Sequence, residues 1–215
     1  MDGIHDMGGF HGFGRVDTTN ETTFANDAQR RIFAINMVSV MQGVYNIDKT
    51  RYYMENVDPS DYLNTPYWER WLGMVERLYR EAGITAESDQ SEIPGARRIP
   101  GDKLWDGFRT LRIPEPPPLP APIYSVGESV RMRRDSVPTH TRLPHFLRGR
   151  IGRIEDYKGI FRFADAYASD RPENQHVYSV RFTGDEIWGS GCEENTSVQI
   201  EIYEPYISER VTHEN

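Results

Sequence analysis

The chain holds a single cysteine, Cys192, among 215 residues. One thiol excludes an internal disulfide framework and a cysteine-rich metal site. Apolar residues are scarce as well: 37% of the chain is hydrophobic and the mean hydropathy is -0.68. That is low for a self-sufficient globule of this length. It points to apolar surface buried against a partner, or to long exposed segments. No apolar run reaches membrane length, and the longest, residues 32–41, is broken by Asn36 and Ser39. An excess of positive charge is missing too: 25 Lys and Arg face 33 Asp and Glu, a formal charge of -8. This argues against a general nucleic-acid binder, whose affinity comes mostly from neutralising phosphates. The opening Met-Asp-Gly-Ile-His-Asp has neither the basic nor the apolar stretch of a signal peptide. A cytoplasmic protein is expected, with no membrane and no nucleic acid among its partners.

Against that acidic background one region is rich in arginine: Arg131, Arg133, Arg134, Arg142, Arg148, Arg150 and Arg153, with Asp135 as the local opposing charge. Arginine offers a planar fork of donors that stays charged at any working pH. Its counterpart is anionic or rich in acceptor oxygens. Nucleic acid, the protein's own carboxylates and the active site of a partner all qualify.

In chain order, residues 1–22 are glycine-rich and interleave His5, His11, Phe10 and Phe13. A phosphate-cradling loop needs a strand before it and a helix directly after it. Neither is present, so an extended arm that docks on another surface is expected. Residues 24–44 read as a helix with Phe33, Met37, Val40 and Val44 on one stripe, widened by Ala28, Ile32 and Ile35. Asp48 reads as the cap of a short helix carrying Lys49, Arg51, Tyr52 and Tyr53. Thr65-Pro66 reads as the start of another, running to about Ala82 with Gly83 as its stop. Two apolar stripes mark that helix, one through Tyr67, Trp71, Met74 and Leu78 and one through Trp68, Leu72, Val75 and Tyr79.

Prolines break the pattern over residues 85–122, a linker that is polyproline-like at 114–122, with one or two helical turns near residues 104–111. Short alternating runs follow at 124–132, 150–155, 177–182 and 197–203. No helix-length pattern separates them, so an all-β unit is expected, a small SH3-like barrel. The fold class is α+β: an arm and helical domain over 1–84, the linker over 85–122, and the barrel over 123–209.

Complete catalytic equipment is absent from this pattern. Cys192 lies in the acidic loop Gly189-Ser-Gly-Cys-Glu-Glu, which raises a thiol pKa instead of lowering it. The histidines His5, His11, His140, His145, His176 and His213 lack metal-ligand spacing on any one element. The run Arg148-Gly-Arg-Ile-Gly-Arg-Ile fits an RNA-binding loop of the KOW type, a reading that leaves the helical half unexplained.

Five motifs in succession resemble the β subunit of nitrile hydratase. They are the opening nine residues, Asp48-Lys-Thr-Arg-Tyr-Tyr, Asp61-Tyr-Leu-Asn-Thr-Pro-Tyr-Trp-Glu-Arg-Trp, His140-Thr-Arg-Leu-Pro-His-Phe-Leu-Arg-Gly-Arg-Ile-Gly, and Val177-Tyr-Ser-Val-Arg-Phe with Glu186-Ile-Trp-Gly and Glu204-Pro-Tyr. The resemblance implies an enzyme that hydrates a nitrile to an amide as a complex. Its Fe(III) or Co(III) is held entirely by the α subunit, through cysteine sulfurs and backbone amides, with two cysteines oxidised. It implies that Arg51 and Arg142 hydrogen-bond the oxygens of those cysteines, and that Tyr67 and Trp71 lie at the substrate pocket and channel. Metal ligands in this chain are none. The implied partners are the α subunit, in a heterodimer that pairs into a heterotetramer, and a small nitrile. Trp71 leans toward the cobalt type, although the α chain decides the metal. One departure is the Trp-Glu pair usual early in the first long helix, replaced here by Ala25-Asn-Asp-Ala-Gln-Arg-Arg. Two related proteins frame the assignment. Thiocyanate hydrolase divides the two halves between separate chains. The metal-delivery activators resemble the helical half only.

Overall fold

The computed structural model describes residues 3–85, 93–109 and 116–212, apart from residues 11, 17, 20, 21 and 94. His11 and His213 therefore lie outside the described residues. The chain divides into two compact units, a helical one over Gly3–Pro114 and a sheet one over Glu115–Asn215.

In the helical unit α1 spans Asp27–Gln42. Asn26 caps it by accepting from Gln29 N at 3.1 Å, and Gly43 ends it in the left-handed conformation at φ 78°. Only part of the expected apolar stripe turns inward, with Val40 and Val44 packed against the core. The buried residues of α1 are Asn36 and Ser39, while Phe33 and Ile35 stay 36% and 44% exposed. The reason is the hydroxyls it meets: Tyr45 donates to Asn36 Oδ1 at 3.2 Å, and Ser39 Oγ bonds Tyr79 OH at 2.8 Å. Burial pushes the Tyr45 phenol up to about 12.

α2 covers Ile47–Glu55 and is capped by Asn46, which accepts from Lys49 N at 2.9 Å. Asp48, the expected cap, sits inside the first turn, buried, where it suits the positive end of the helix dipole. A further helix, α3 over Pro59–Asn64, follows the Asp58-Pro59 pair, with Asp58 accepting from Ser60 N at 2.8 Å. Thr65 closes α3 and Pro66 occupies the cap of α4, Tyr67–Glu81, so that helix starts one residue beyond its expected proline. Met74, Val75 and Leu78 of α4 bury with Tyr45 to form the core, and Val40, Val44, Tyr53, Met54, Trp71 and Tyr79 pack around it. α5, Gly101–Arg109, begins earlier than the turns expected near Leu104.

The sheet unit is a five-stranded antiparallel sheet built from β1 (Ser129–Met132), β2 (Ile151–Arg162), β3 (Asn174–Thr183), β4 (Ser197–Tyr203) and β5 (Ile207–Val211), in the order β4-β3-β2-β1-β5. β2 shifts register against β3 twice, between Ile154 and Asp156 and between Tyr157 and Gly159. Such bulges bend a strand and increase its twist. Two short helices interrupt the expected all-β pattern: α6, Ala164–Tyr167, and α7, Gly184–Trp188. Helices of one turn are too short to show a 3.6-residue period. Val130, Met132, Leu147, Ile154, Tyr178, Val180, Phe182, Ile202 and Tyr206 form the core, all fully buried.

Candidate functional site

Arg142 stands in the irregular segment between β1 and β2. Its first part, residues 133–142, is held at both ends by Tyr206, which lies in a 3-10 turn (Glu204–Tyr206) just before β5. At one end Arg133 N–H donates to the Tyr206 carbonyl at 2.8 Å, and at the other Arg142 N–H donates to the Tyr206 hydroxyl at 2.8 Å. The Tyr206 hydroxyl in turn donates to Asp165 Oδ1. Arg133 closes the group, with its Nη2 3.4 Å from Asp165 Oδ2 and its guanidinium 4.8 Å above the Tyr206 ring. Burial raises the Asp165 pKa, opposed by the Tyr206 hydroxyl, the charges of Arg133 and His140, and the Thr141 hydroxyl. Burial and then Asp165 raise that of Tyr206.

The Arg142 side chain is exposed and has no hydrogen-bond or ion-pair partner among the described residues. It differs in this from Arg131 and Arg133. Arg131 pairs with Glu209 at 2.7 Å and donates to the Gly149 carbonyl at 3.2 Å, and Arg133 pairs with Asp165. Two of the seven arginines of this region thus meet the chain's own carboxylates, brought in from elements remote in sequence.

Arg51 belongs to the helical unit. Its Nη1 lies 3.3 Å from Asp48 Oδ1 one turn earlier, and its side chain is 45% exposed while that of Asp48 is 10% exposed. The partner is fixed by burial, and the guanidinium keeps free donors toward solvent. Beyond it on the same helix, Glu55 faces His5 of the arm at 3.8 Å.

Tyr67 and Trp71, one turn apart at the start of α4, are brought together with ring centroids 5.9 Å apart. They join a wider aromatic cluster: Trp68 lies 5.2 Å from Trp71 and 4.9 Å from Phe24, and Phe33 lies 6.3 Å from Trp71. Trp68 Nε1 donates to the Thr23 carbonyl at 3.1 Å, fastening the arm beside the cluster. Tyr67 remains 52% exposed and Leu72 42%. The result is an accessible apolar wall next to the polar ends of Arg70 and Tyr67.

Other candidates have structural partners. Cys192 donates to Asp185 Oδ1 at 3.3 Å, and partial burial together with that carboxylate raises its pKa, so it makes a poor nucleophile at neutral pH. His176 is buried between the Tyr157 hydroxyl, 2.7 Å from Nδ1, and the Pro120 carbonyl, 2.8 Å from Nε2. Among the described residues no three His, Cys, Asp or Glu side chains are grouped to hold a metal ion.

Sequence reasoning missed Asp165 and gave no individual role to Tyr206 or Arg133. A signal existed for the first: Asp165 is the one acid in the apolar stretch Phe163-Ala-Asp-Ala-Tyr, and a carboxylate is rarely buried unless paired. Tyr206 appeared only as the end of the motif Glu204-Pro-Tyr.

A family model described as nitrile hydratase beta subunit, N-terminal, matches residues 1–100, and one described as nitrile hydratase beta subunit, C-terminal, matches residues 115–209. The chain belongs to the nitrile hydratase β-subunit family. The low-molecular weight cobalt-containing nitrile hydratase subunit beta of Rhodococcus rhodochrous is 31% identical, over 96% of this chain and 99% of its own. The nitrile hydratase subunit beta of Rhodococcus erythropolis is 31% identical over 96% and 98%. The cobalt-containing subunit of Pseudonocardia thermophila is 26% identical over 96% of each. A chain of recombinant apo thiocyanate hydrolase from Thiobacillus thioparus aligns with 41% of this chain and 76% of its own, at 24% identity and a TM-score of 0.39. Membership of the nitrile hydratase β-subunit family extends over both halves, so neither the RNA-binding nor the metal-delivery reading is favoured. As a subunit of that family the chain takes part in nitrile hydration within a complex. No helix among the described residues is long and apolar enough to cross a membrane.

Proposed function

We propose that this chain is the subunit that bears no metal in a cytoplasmic nitrile hydratase, paired with an α subunit in a heterodimer that doubles to a heterotetramer. In this reading the complex adds water across the carbon–nitrogen triple bond of a small nitrile to give the amide. The sheet unit is read as an SH3-like barrel, consistent with its strand order and its bulged, bent β2. The metal, Fe(III) or Co(III), belongs to the α subunit. Two of the relatives above are named as cobalt-containing, which favours cobalt.

The observation that carries the reading is Arg142, an exposed guanidinium without a partner of its own among the described residues, at the centre of a motif in a chain matched by the family over both halves. A guanidinium left without internal acceptors is available to a partner's anion. Oxidised cysteine oxygens at an interface need strong donors, and charge-assisted hydrogen bonds from a planar fork supply them. Arg142 and Arg51 are assigned that role, each holding cysteine oxygens in a fixed geometry. Tyr67 and Trp71 are assigned to the wall that receives the organic part of the nitrile. Aromatic surface there excludes water and favours apolar substituents.

Lysine keeps the charge but not the fork. Arg51→Lys and Arg142→Lys, each in the complex co-expressed with its α subunit, are expected to lower kcat at least about tenfold, the scale of losing an outer partner of a metal site. Rates equal to wild type for both would remove the assigned role.

A further inference from the structure

We propose that Tyr206 and Asp165 are positioning residues for Arg142: a hydrogen-bonded chain that sets where this arginine meets its anion. The inference rests on the role assigned to Arg142 above and adds what fixes its place.

The direction of every hydrogen bond in the chain is determined. The Arg142 backbone N–H can only donate, so at 2.8 Å the Tyr206 oxygen accepts from it. The single phenolic proton is then free to point elsewhere, and it goes to Asp165 Oδ1. The other carboxylate oxygen faces Arg133 Nη2 at 3.4 Å. The Thr141 hydroxyl, next to Arg142, accepts from Leu143 N–H at 3.3 Å and sits near enough to Tyr206 and Asp165 to lower the pKa of each. Tyr206 is 0% exposed and Asp165 7%. Neither reaches a partner or a substrate, so any effect on turnover must pass through the segment they hold.

Residues 133–142 form neither helix nor strand. Tyr206 clips both of their ends, through its carbonyl at Arg133 N and its hydroxyl at Arg142 N. Among the described residues the Arg142 side chain has no hydrogen bond or ion pair to orient it, so the backbone amide is the point that sets the guanidinium's reach. Arg133, stacked on the same ring and paired with the same carboxylate, ties the clip to the core. A displacement of about 1 Å at a reacting group can cost on the order of a hundredfold in rate. A chain that removes such slack is visible in kcat.

The test uses the holoenzyme co-purified with its α subunit, with rates counted per metal-loaded complex. Tyr206→Phe removes the hydroxyl and keeps the ring that fills the core. The expected result is a kcat about 10- to 100-fold lower, on the scale of lost outer partners of a metal site, with KM changed less than about threefold on the same comparison. Thr141→Val, a milder cut at the same group, is expected to lower kcat severalfold, again with KM nearly constant. A purely structural role predicts less complex but an unchanged kcat for what remains, and that outcome overturns the proposal. Should Tyr206→Phe fail to assemble, Thr141→Val decides alone: an unchanged kcat overturns the proposal and a lowered one supports it. Arg142→Lys separates the two levels. If it is impaired and Tyr206→Phe is not, the role of Arg142 stands and the positioning chain falls. If it has wild-type kcat, the role of Arg142 itself has failed.

Discussion

Gly152 lies within the arginine-rich motif, and its replacement by alanine tests why a glycine stands there. It occupies β2 opposite Val130 of β1. A Cβ at this position would lie 2.6 Å from Val180 Cγ1 and 2.7 Å from Phe182 Cε1. Ordinary carbon contacts are about 3.5–4.0 Å, so the overlap is close to 1 Å against two side chains at once. Neither has room to retreat, because Val180 and Phe182 are both 0% exposed and a valine is stiff about χ1. Overpacking of this kind costs about 1–3 kcal/mol. Exchanging glycine for alanine in a strand returns about 0.5–1 kcal/mol of backbone entropy. The difference spans about 0–2.5 kcal/mol, and because neither neighbour can retreat the loss falls in its upper part, about 1–2 kcal/mol. For a chain of this size each kcal/mol is worth about 2–4 °C, so the midpoint should fall by roughly 2–8 °C. Thermal melting of the co-purified complex, followed by circular dichroism, measures this. Gly73→Ala is the matched control: Gly73 sits inside α4, a Cβ added there would meet nothing within 4 Å, and the same exchange should raise or preserve the midpoint. Equal midpoints for Gly152→Ala and wild type would refute the packing argument.

Two further perturbations address the helical unit. Leu78→Ala empties a site that is 2% exposed at the centre of the α4 core, and a loss of about 2–5 kcal/mol is expected in denaturant titration. Glu81→Gln probes the contact that ties α2 to α4, where Lys49 Nζ lies 2.5 Å from Glu81 and the Tyr53 hydroxyl also donates to it. Burial pushes the Glu81 pKa up, but the Lys49 and Tyr53 hydrogen bonds and the Lys49 charge outweigh it and hold the carboxyl below its usual range. A lowered folded pKa contributes stability above the unfolded value, about 4.3, and loses it as pH falls through the folded one. The variant should therefore melt earlier than wild type at neutral pH, with the gap closing in acid. A gap independent of pH would show that the carboxylate's charge is not what matters.

How much of the fold is legible in the sequence follows from how local each signal is. The helices of the N-terminal half can be read because caps, prolines and glycines act within a few residues. Even so, the sequence points to Asp48 as a cap where Asn46 serves, since both residue types suit the position and only the backbone conformation chooses between them. α3 escapes the sequence reading although Asp58-Pro59 has the same cap-then-proline form as Thr65-Pro66. Burial is less legible than helicity. Periodicity places Phe33 and Ile35 inward, but Asn36 and Ser39 are buried because two tyrosine hydroxyls arrive from other parts of the chain. The outward apolar residues that result agree with the low hydrophobic content and its implication of a partner.

Composition and motif order determined that the chain carries no cysteine-rich metal site and that it resembles a β subunit. The resemblance in turn singled out Arg51, Arg142, Tyr67 and Trp71. These are local properties of residue type and succession. The tertiary structure decided that Arg131 and Arg133 are paired with distant carboxylates and that Arg142 is not. It also placed Tyr206 and Asp165 behind Arg142, across sequence separations of 64 residues for one bond and 41 for the other. No periodicity encodes a hydrogen bond over such distances, because its partners meet only after a sheet has brought remote strands to the same core.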